Sequence, residues 1–102
     1  MTGTSLTENE FSQHLNTKFR FKLGTHHVEL ELVEVKGYAG SPQEQSGMER
    51  FSLYFDGPAD PSLPQRAYTV EHEQMGTFDL FIVPLTRQHQ GCSYEAVFNY
   101  FK

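Results

Sequence analysis

The sequence has no tryptophan, a single cysteine, fewer bases than acids and no long apolar run. Each shortage removes a class of protein. Cys92 has no second cysteine to bridge, so no internal disulfide can form. That suits a reducing compartment or indifference to redox state. The first stretch, Met1 to Glu10, is polar and unlike a signal peptide, and the expected location is cytoplasmic. Leu80-Phe81-Ile82-Val83, the longest apolar run, is far too short to span a bilayer. Thirteen acidic residues against eight basic ones give a net charge of -5. An acidic surface repels phosphate backbones and anionic lipid, so neither nucleic acid nor a membrane is expected as a partner.

What is present argues for a packed core. Nine Phe and five Tyr are too many for a disordered chain. At 102 residues the chain suits one domain over 1–102, with residues 1–5 as a frayed start. Thr7 and Glu10 then have the spacing of a capping box, and Leu6 and Phe11 that of a hydrophobic staple. A short amphipathic helix from about Glu8 to Leu15 follows, with Phe11 and Leu15 on one face.

From Lys18 the period changes to two. Lys18, Arg20 and Lys22 alternate with Phe19, Phe21 and Leu23, the pattern of a half-buried strand. Gly24-Thr25 suits a type II′ turn. That turn sets Phe21 opposite Val28 and Phe19 opposite Leu30 inside. Outside, Arg20 faces Glu29 and Lys18 faces Glu31, so each base meets an acid. After Leu32 the apolar set moves to Val33 and Val35, which predicts a β-bulge near residues 32–33. Gly37 to Gly47 reads as a polar loop. Phe51, Leu53 and Phe55 form a third strand, followed by a stiff segment containing Pro58, Pro61 and Pro64. The last third reads as a meander: Tyr68, Val70 and His72; a turn at Gln74-Met75-Gly76; Phe78, Leu80 and Ile82; a polar turn from Arg87 to Gly91; and Tyr94, Ala96, Phe98 and Tyr100. The fold class expected is mainly β. About six antiparallel strands form a curved sheet or small barrel, with one short N-terminal helix.

Few residues suggest chemistry. His72-Glu73-Gln74-Met75-Gly76 begins like a zinc-binding H-E-x-x-H, but the second histidine is absent and the segment reads as strand and turn. His26 and His27 are neighbours on a strand, so they point to opposite faces and cannot easily chelate one ion. No cofactor or metal is expected. The Gln74-Met75-Gly76 turn sets Glu71 opposite Asp79. Such a pair suggests half of an acid/base or cation site, unless the register differs or a base from a neighbouring strand lies between them. Neither a nucleophile elbow nor a Gly-rich phosphate loop is present, and no residue is assigned as catalytic.

One feature rises above this background. Phe81 and Val83 lie on the face opposite Phe78, Leu80 and Ile82, so that strand is apolar on both sides. Val97 on the next strand shares the outer parity. A second apolar face needs a cover. The N-terminal helix, through Phe11 and Leu15, is one candidate; another protein or a second copy is the other, with Phe81, Val83 and Val97 as the binding surface.

Three stretches are familiar as a set: Phe51 to Pro58; Leu63-Pro64-Gln65 through His72; and Leu80 to Pro84 with Tyr94 to Asn99. In that order they resemble an uncharacterised family of short bacterial proteins carrying F-S-L-x-F-x-G-P, L-P-Q, E-H-x-x-x-G and Y-E-A-x-F-N. The resemblance implies no activity. It implies neighbourhood to phage tail-collar-type fibre proteins, and hence an accessory, assembly or structural role. The alternative is a small-ligand-binding or hydrolytic barrel with a site in its mouth, using Glu71, His72 and Asp79 together with Glu95. Clustering of these residues in one concave pocket is what would favour it. A third reading, an acidic inhibitor, requires a basic partner.

Overall fold

The computed structural model describes residues 7–37, 48–59, 62–85 and 91–101, without the side chains of 48, 49 and 99–101. The elements follow in the order α1 (Glu8–Ser12), β1 (Lys18–Leu23), β2 (His26–Gly37), β3 (Met48–Gly57), β4 (Arg66–His72), β5 (Gly76–Pro84) and β6 (Cys92–Phe101). The six strands close into a barrel in the order β1-β2-β3-β6-β5-β4, and every paired neighbour is antiparallel. Closure gives every strand a neighbour on both sides over at least part of its length, where an open sheet would leave two whole edges free. The expected polar loop after Gly37, the turn from Arg87 to Gln90, Leu6 and the first five residues lie outside the described residues.

Period-two patterning sets the strands. Phe19 and Phe21 of β1, Leu30 and Leu32 of β2, Phe51 and Phe55 of β3, and Ile82 of β5 point inward and are fully buried. The β1–β2 hairpin has the register expected from its turn: Phe21 faces Val28, Phe19 faces Leu30, Arg20 faces Glu29 and Lys18 faces Glu31. Gly24 has φ of 60° and Thr25 is not left-handed, as a type II′ turn requires. The expected bulge is also there, as a shift of the β2–β3 register between Leu32 and Glu34.

Two features fill the ends of the barrel. At one end the side chain of Phe11 enters from α1. Its ring lies 6.3 Å from Phe19, 6.1 Å from Phe51, 5.9 Å from Phe78 and 5.6 Å from Phe98. At the other end Leu63 of the proline-containing segment is buried. The buried Tyr94 hydroxyl accepts a hydrogen bond from the Leu63 backbone N–H at 2.9 Å. Tyr68 ties the same segment down by donating to the Pro64 carbonyl at 2.7 Å. Burial raises the pKa of both tyrosines, which remain neutral phenols.

The helix differs from expectation in length and in task. The Thr7 side chain caps it by accepting from Glu10 N–H at 3.1 Å. It ends at Ser12 and not Leu15, and Leu15 is exposed. Asn16, with φ of 67°, turns the chain away. Asn16 N–H then donates to the Leu32 carbonyl at 2.6 Å, and Leu32 N–H donates to Thr17 O at 3.1 Å. Two hydrogen bonds to β2 are stronger than one more turn of an isolated helix, which is marginal at this length. The inner face of α1 therefore consists of Phe11 followed, beyond the helix, by His14. It stoppers the barrel and covers no strand from outside.

Candidate interaction surface

The outer surface of β5 and β6 is open. Phe81 is 52% exposed and Val97 62%, while Val83 is half-buried. The first candidate cover is thus overturned: α1 packs against β2 and β3 at the barrel end, because Phe11 fits the mouth lined by four aromatic rings. Beside the apolar group lies a polar one. Ser52 Oγ donates to Glu95 Oε2 at 2.9 Å and Tyr54 OH donates to the same oxygen at 3.2 Å. Glu95 faces Val83 on one side and Tyr54 on the other, so this carboxylate marks the rim of the apolar surface.

The β5–β6 ladder is short. Its pairs are Val83 with Glu95 and Pro84 with Tyr94, continued by Leu85 N–H donating to the Ser93 carbonyl at 2.8 Å. Beyond Val83, towards Gly76, β5 has no ladder partner on this side among the described residues. On its other side it pairs with β4 over the whole of that strand, from Arg66 opposite Ile82 to His72 opposite Gly76. Likewise β6 pairs with β3 throughout, from Cys92 opposite Gly57 to Phe101 opposite Met48.

The residues of the alternative site are separated. Glu71 does not face Asp79; it faces Thr77, and Asp79 faces Thr69. The turn occupies Glu73 to Met75, one residue earlier than Gln74-Met75-Gly76, and two features fix it there. Gly76 takes φ of 85°, and His72 Nδ1 accepts from the backbone N–H of Gln74 at 3.1 Å and of Met75 at 3.2 Å. This cap turns Met75 into the core. Asp79 accepts from Thr69 Oγ1 at 3.3 Å. Glu71 lies between Arg20 Nε at 3.5 Å and Lys22 Nζ at 3.4 Å, reached through the β1–β4 pairing. Both escapes from carboxylate repulsion are thus realised: the register shifts, and bases from a neighbouring strand intervene. Arg20 faces Glu29 in the ladder, yet its guanidinium pairs with Glu71.

His72 is buried in a closed hydrogen-bond chain. With Nδ1 accepting, the proton sits on Nε2, which donates to Thr17 Oγ1 at 2.9 Å; Thr17 in turn donates to the His14 carbonyl at 2.6 Å. The ring packs on Phe19 at 4.2 Å and on His14 at 4.7 Å. Burial lowers its pKa below 6.5. His14 and then Arg20 act in the same direction, and Glu73 opposes them. Sequence reasoning placed this histidine at a strand end but missed its capping task. The signal available was His72 two residues before a turn, in the position from which Asn or Asp side chains accept backbone N–H groups. No group of three or more metal-ligating side chains occurs among the described residues. His26 and His27 are both exposed, and Cys92 is buried, with Sγ 4.0 Å from the Ala59 carbonyl.

Residues 6–98 match the family described as a domain of unknown function (DUF6916). The chain belongs to that family. The match spans the helical stopper, the barrel up to Phe98 of β6 and all three residues Phe81, Val83 and Val97. No curated protein and no solved structure matches the chain. No helix among the described residues is long and apolar enough to cross a membrane.

Proposed function

We propose that this DUF6916 domain is a non-catalytic protein-interaction domain that binds through the outer face of β5 and β6. It serves as an accessory or structural component of a bacterial fibre or phage-tail-like assembly. The observation that carries the binding reading is the exposure of Phe81 and Val97 on a face that α1 leaves bare. Large aromatic side chains beside aliphatic ones, rimmed by polar groups, are the usual make-up of a binding surface. The assembly context rests on the resemblance of the three motif stretches, whose residues are chiefly core aromatics, turn glycines and prolines.

The hydrolytic or ligand-binding alternative has less support. Phe11 and Leu63 fill the two barrel ends, and Glu71, His72, Asp79 and Glu95 engage separate partners. The test is co-purification of the products of adjacent genes with tagged wild-type protein and with Phe81→Asp. Loss of an aromatic anchor costs about 2 kcal/mol or more of binding, so the variant should lose its partner while its melting temperature is unchanged. Equal recovery with both proteins would refute the assignment of this face.

A further inference from the structure

We infer that the cleft where β5 leaves β6 receives an extended segment of another protein, with an apolar and a basic residue two positions apart, which pairs with β5 as an added strand. This rests on the proposed interaction face and specifies the chemistry of its partner.

The main-chain geometry carries the inference. In a strand, the N–H and C=O of successive residues point to alternate edges. Leu85 N–H bonds to Ser93 of β6, so Val83, Phe81, Asp79 and Thr77, of the same parity, turn their peptide groups to that side. Those of Phe78, Leu80 and Ile82 turn to β4. The ladder with β6 ends at Val83. The peptide groups of Phe81, Asp79 and Thr77 thus face the cleft with no partner among the described residues. Behind them, the Phe11 ring lies between Phe78 and Phe98, so β5 and β6 are wedged from within. Exposed main-chain groups along a strand are a template for another strand, and natural edges usually carry Lys, Pro or a bulge to prevent pairing. From Thr77 to Phe81 there is no Lys, Pro or bulge, and the one charge, Asp79, is acidic and repels only strands that bring acid to it.

The side chains on the cleft define the occupant. Phe81 and Val97 offer an apolar contact on the outer side. Asp79 is exposed and among the described residues is bonded to a neutral hydroxyl alone, and the chain carries a net charge of -5. A second copy would bring like charge to this edge. A segment with basic residues would be drawn to it, and an apolar residue in the same segment would cover Phe81.

The probe is a labelled eight-residue peptide of the repeat valine-threonine-lysine-threonine, which puts valine and lysine on one face as Phe81 and Asp79 are, with two isomers methylated on one or the other set of alternate backbone nitrogens. In the free protein, the amides of Thr77, Asp79 and Phe81 should exchange with solvent far faster than those of Phe78 and Leu80. The unmodified peptide should slow them. One methylated isomer should bind at least about 10-fold more weakly, and Phe81→Asp should lose the peptide by a similar factor. If the amides of Thr77, Asp79 and Phe81 are already protected without peptide, the cleft is closed and the inference fails, while the binding face stands. Peptide binding that needs Phe81 but ignores both methylations also overturns strand addition and leaves the face intact. Absence of binding by the unmodified peptide overturns it as well. Failure of the face itself is read separately, from co-purification that Phe81→Asp does not disturb.

Discussion

Acid should destabilise this barrel through His72, and the amount can be worked out. The ring is held neutral: Nδ1 accepts two backbone N–H groups and Nε2–H is used by Thr17. Protonation at Nδ1 would turn both accepted N–H groups into clashes with a donor. The folded pKa lies below the unfolded value of about 6.5, so between these values the unfolded chain binds the extra proton. Stability is therefore full above pH 6.5 and is lost as pH falls towards the folded pKa. Below 6.5, each pH unit through which the folded ring stays neutral costs about 1.4 kcal/mol. At roughly 4–8 °C per kcal/mol for a domain of this size, that lowers Tm by about 6–11 °C. The control is His72→Asn, whose side-chain oxygen can accept from Gln74 and Met75 and does not titrate. It should lose about 1–3 kcal/mol at neutral pH, from the missing Thr17 bond and the smaller ring volume. Its Tm should then fall less with acid than that of wild type. Urea or thermal melts of both proteins from pH 7.5 to 5.5 measure the difference. Parallel curves would refute the neutral, capping histidine.

Other outcomes follow from the same contacts. Glu71→Gln should lower stability by up to about 1 kcal/mol at low salt, and less at high salt, because Arg20 and Lys22 lose their shared partner. Glu29→Gln, opposite Arg20 in the ladder, should be close to neutral in the same denaturation assay; a larger loss than for Glu71→Gln would contradict the observed pairing. Phe11→Ala should cost about 3–5 kcal/mol in chemical denaturation, since it empties the space between four aromatic rings. A loss below about 1 kcal/mol would mean that the helix is a surface ornament and not a stopper.

The contacts legible in the sequence were the local ones. The alternation from Lys18 to Leu23 and the Gly24-Thr25 turn specify a register with no outside information, and the phase change after Leu32 marks the bulge. What the sequence hid depends on residues far apart in the chain. Arg20 has two acidic candidates, Glu29 and Glu71, and only barrel closure through the β1–β4 pairing decides between them. An amphipathic helix says that Phe11 is buried but not against what; a barrel end and an outer sheet face need the same apolar stripe. The β4–β5 register moved because a side chain, His72, took over turn bonds that backbone patterning leaves unassigned. The surface of Phe81 and Val97 was legible from parity alone. The cleft beside it was not, because the end of a ladder has no signature in side-chain order.

The position of Phe11 has a consequence for how the chain is made. Synthesis runs from the amino end, so this ring emerges before any strand, yet its contacts include Phe78 of β5 and Phe98 of β6. The earliest anchor is satisfied by some of the latest residues. A nascent chain that has reached Leu80 holds an unstoppered, incomplete barrel, with Phe51 still lacking its stacked neighbour Phe98 at 4.6 Å. Contacts of such long sequence separation slow folding, because loop closure is costly until they form. Folding of this domain therefore waits for β6, and the first element and the last strand lock in the same step.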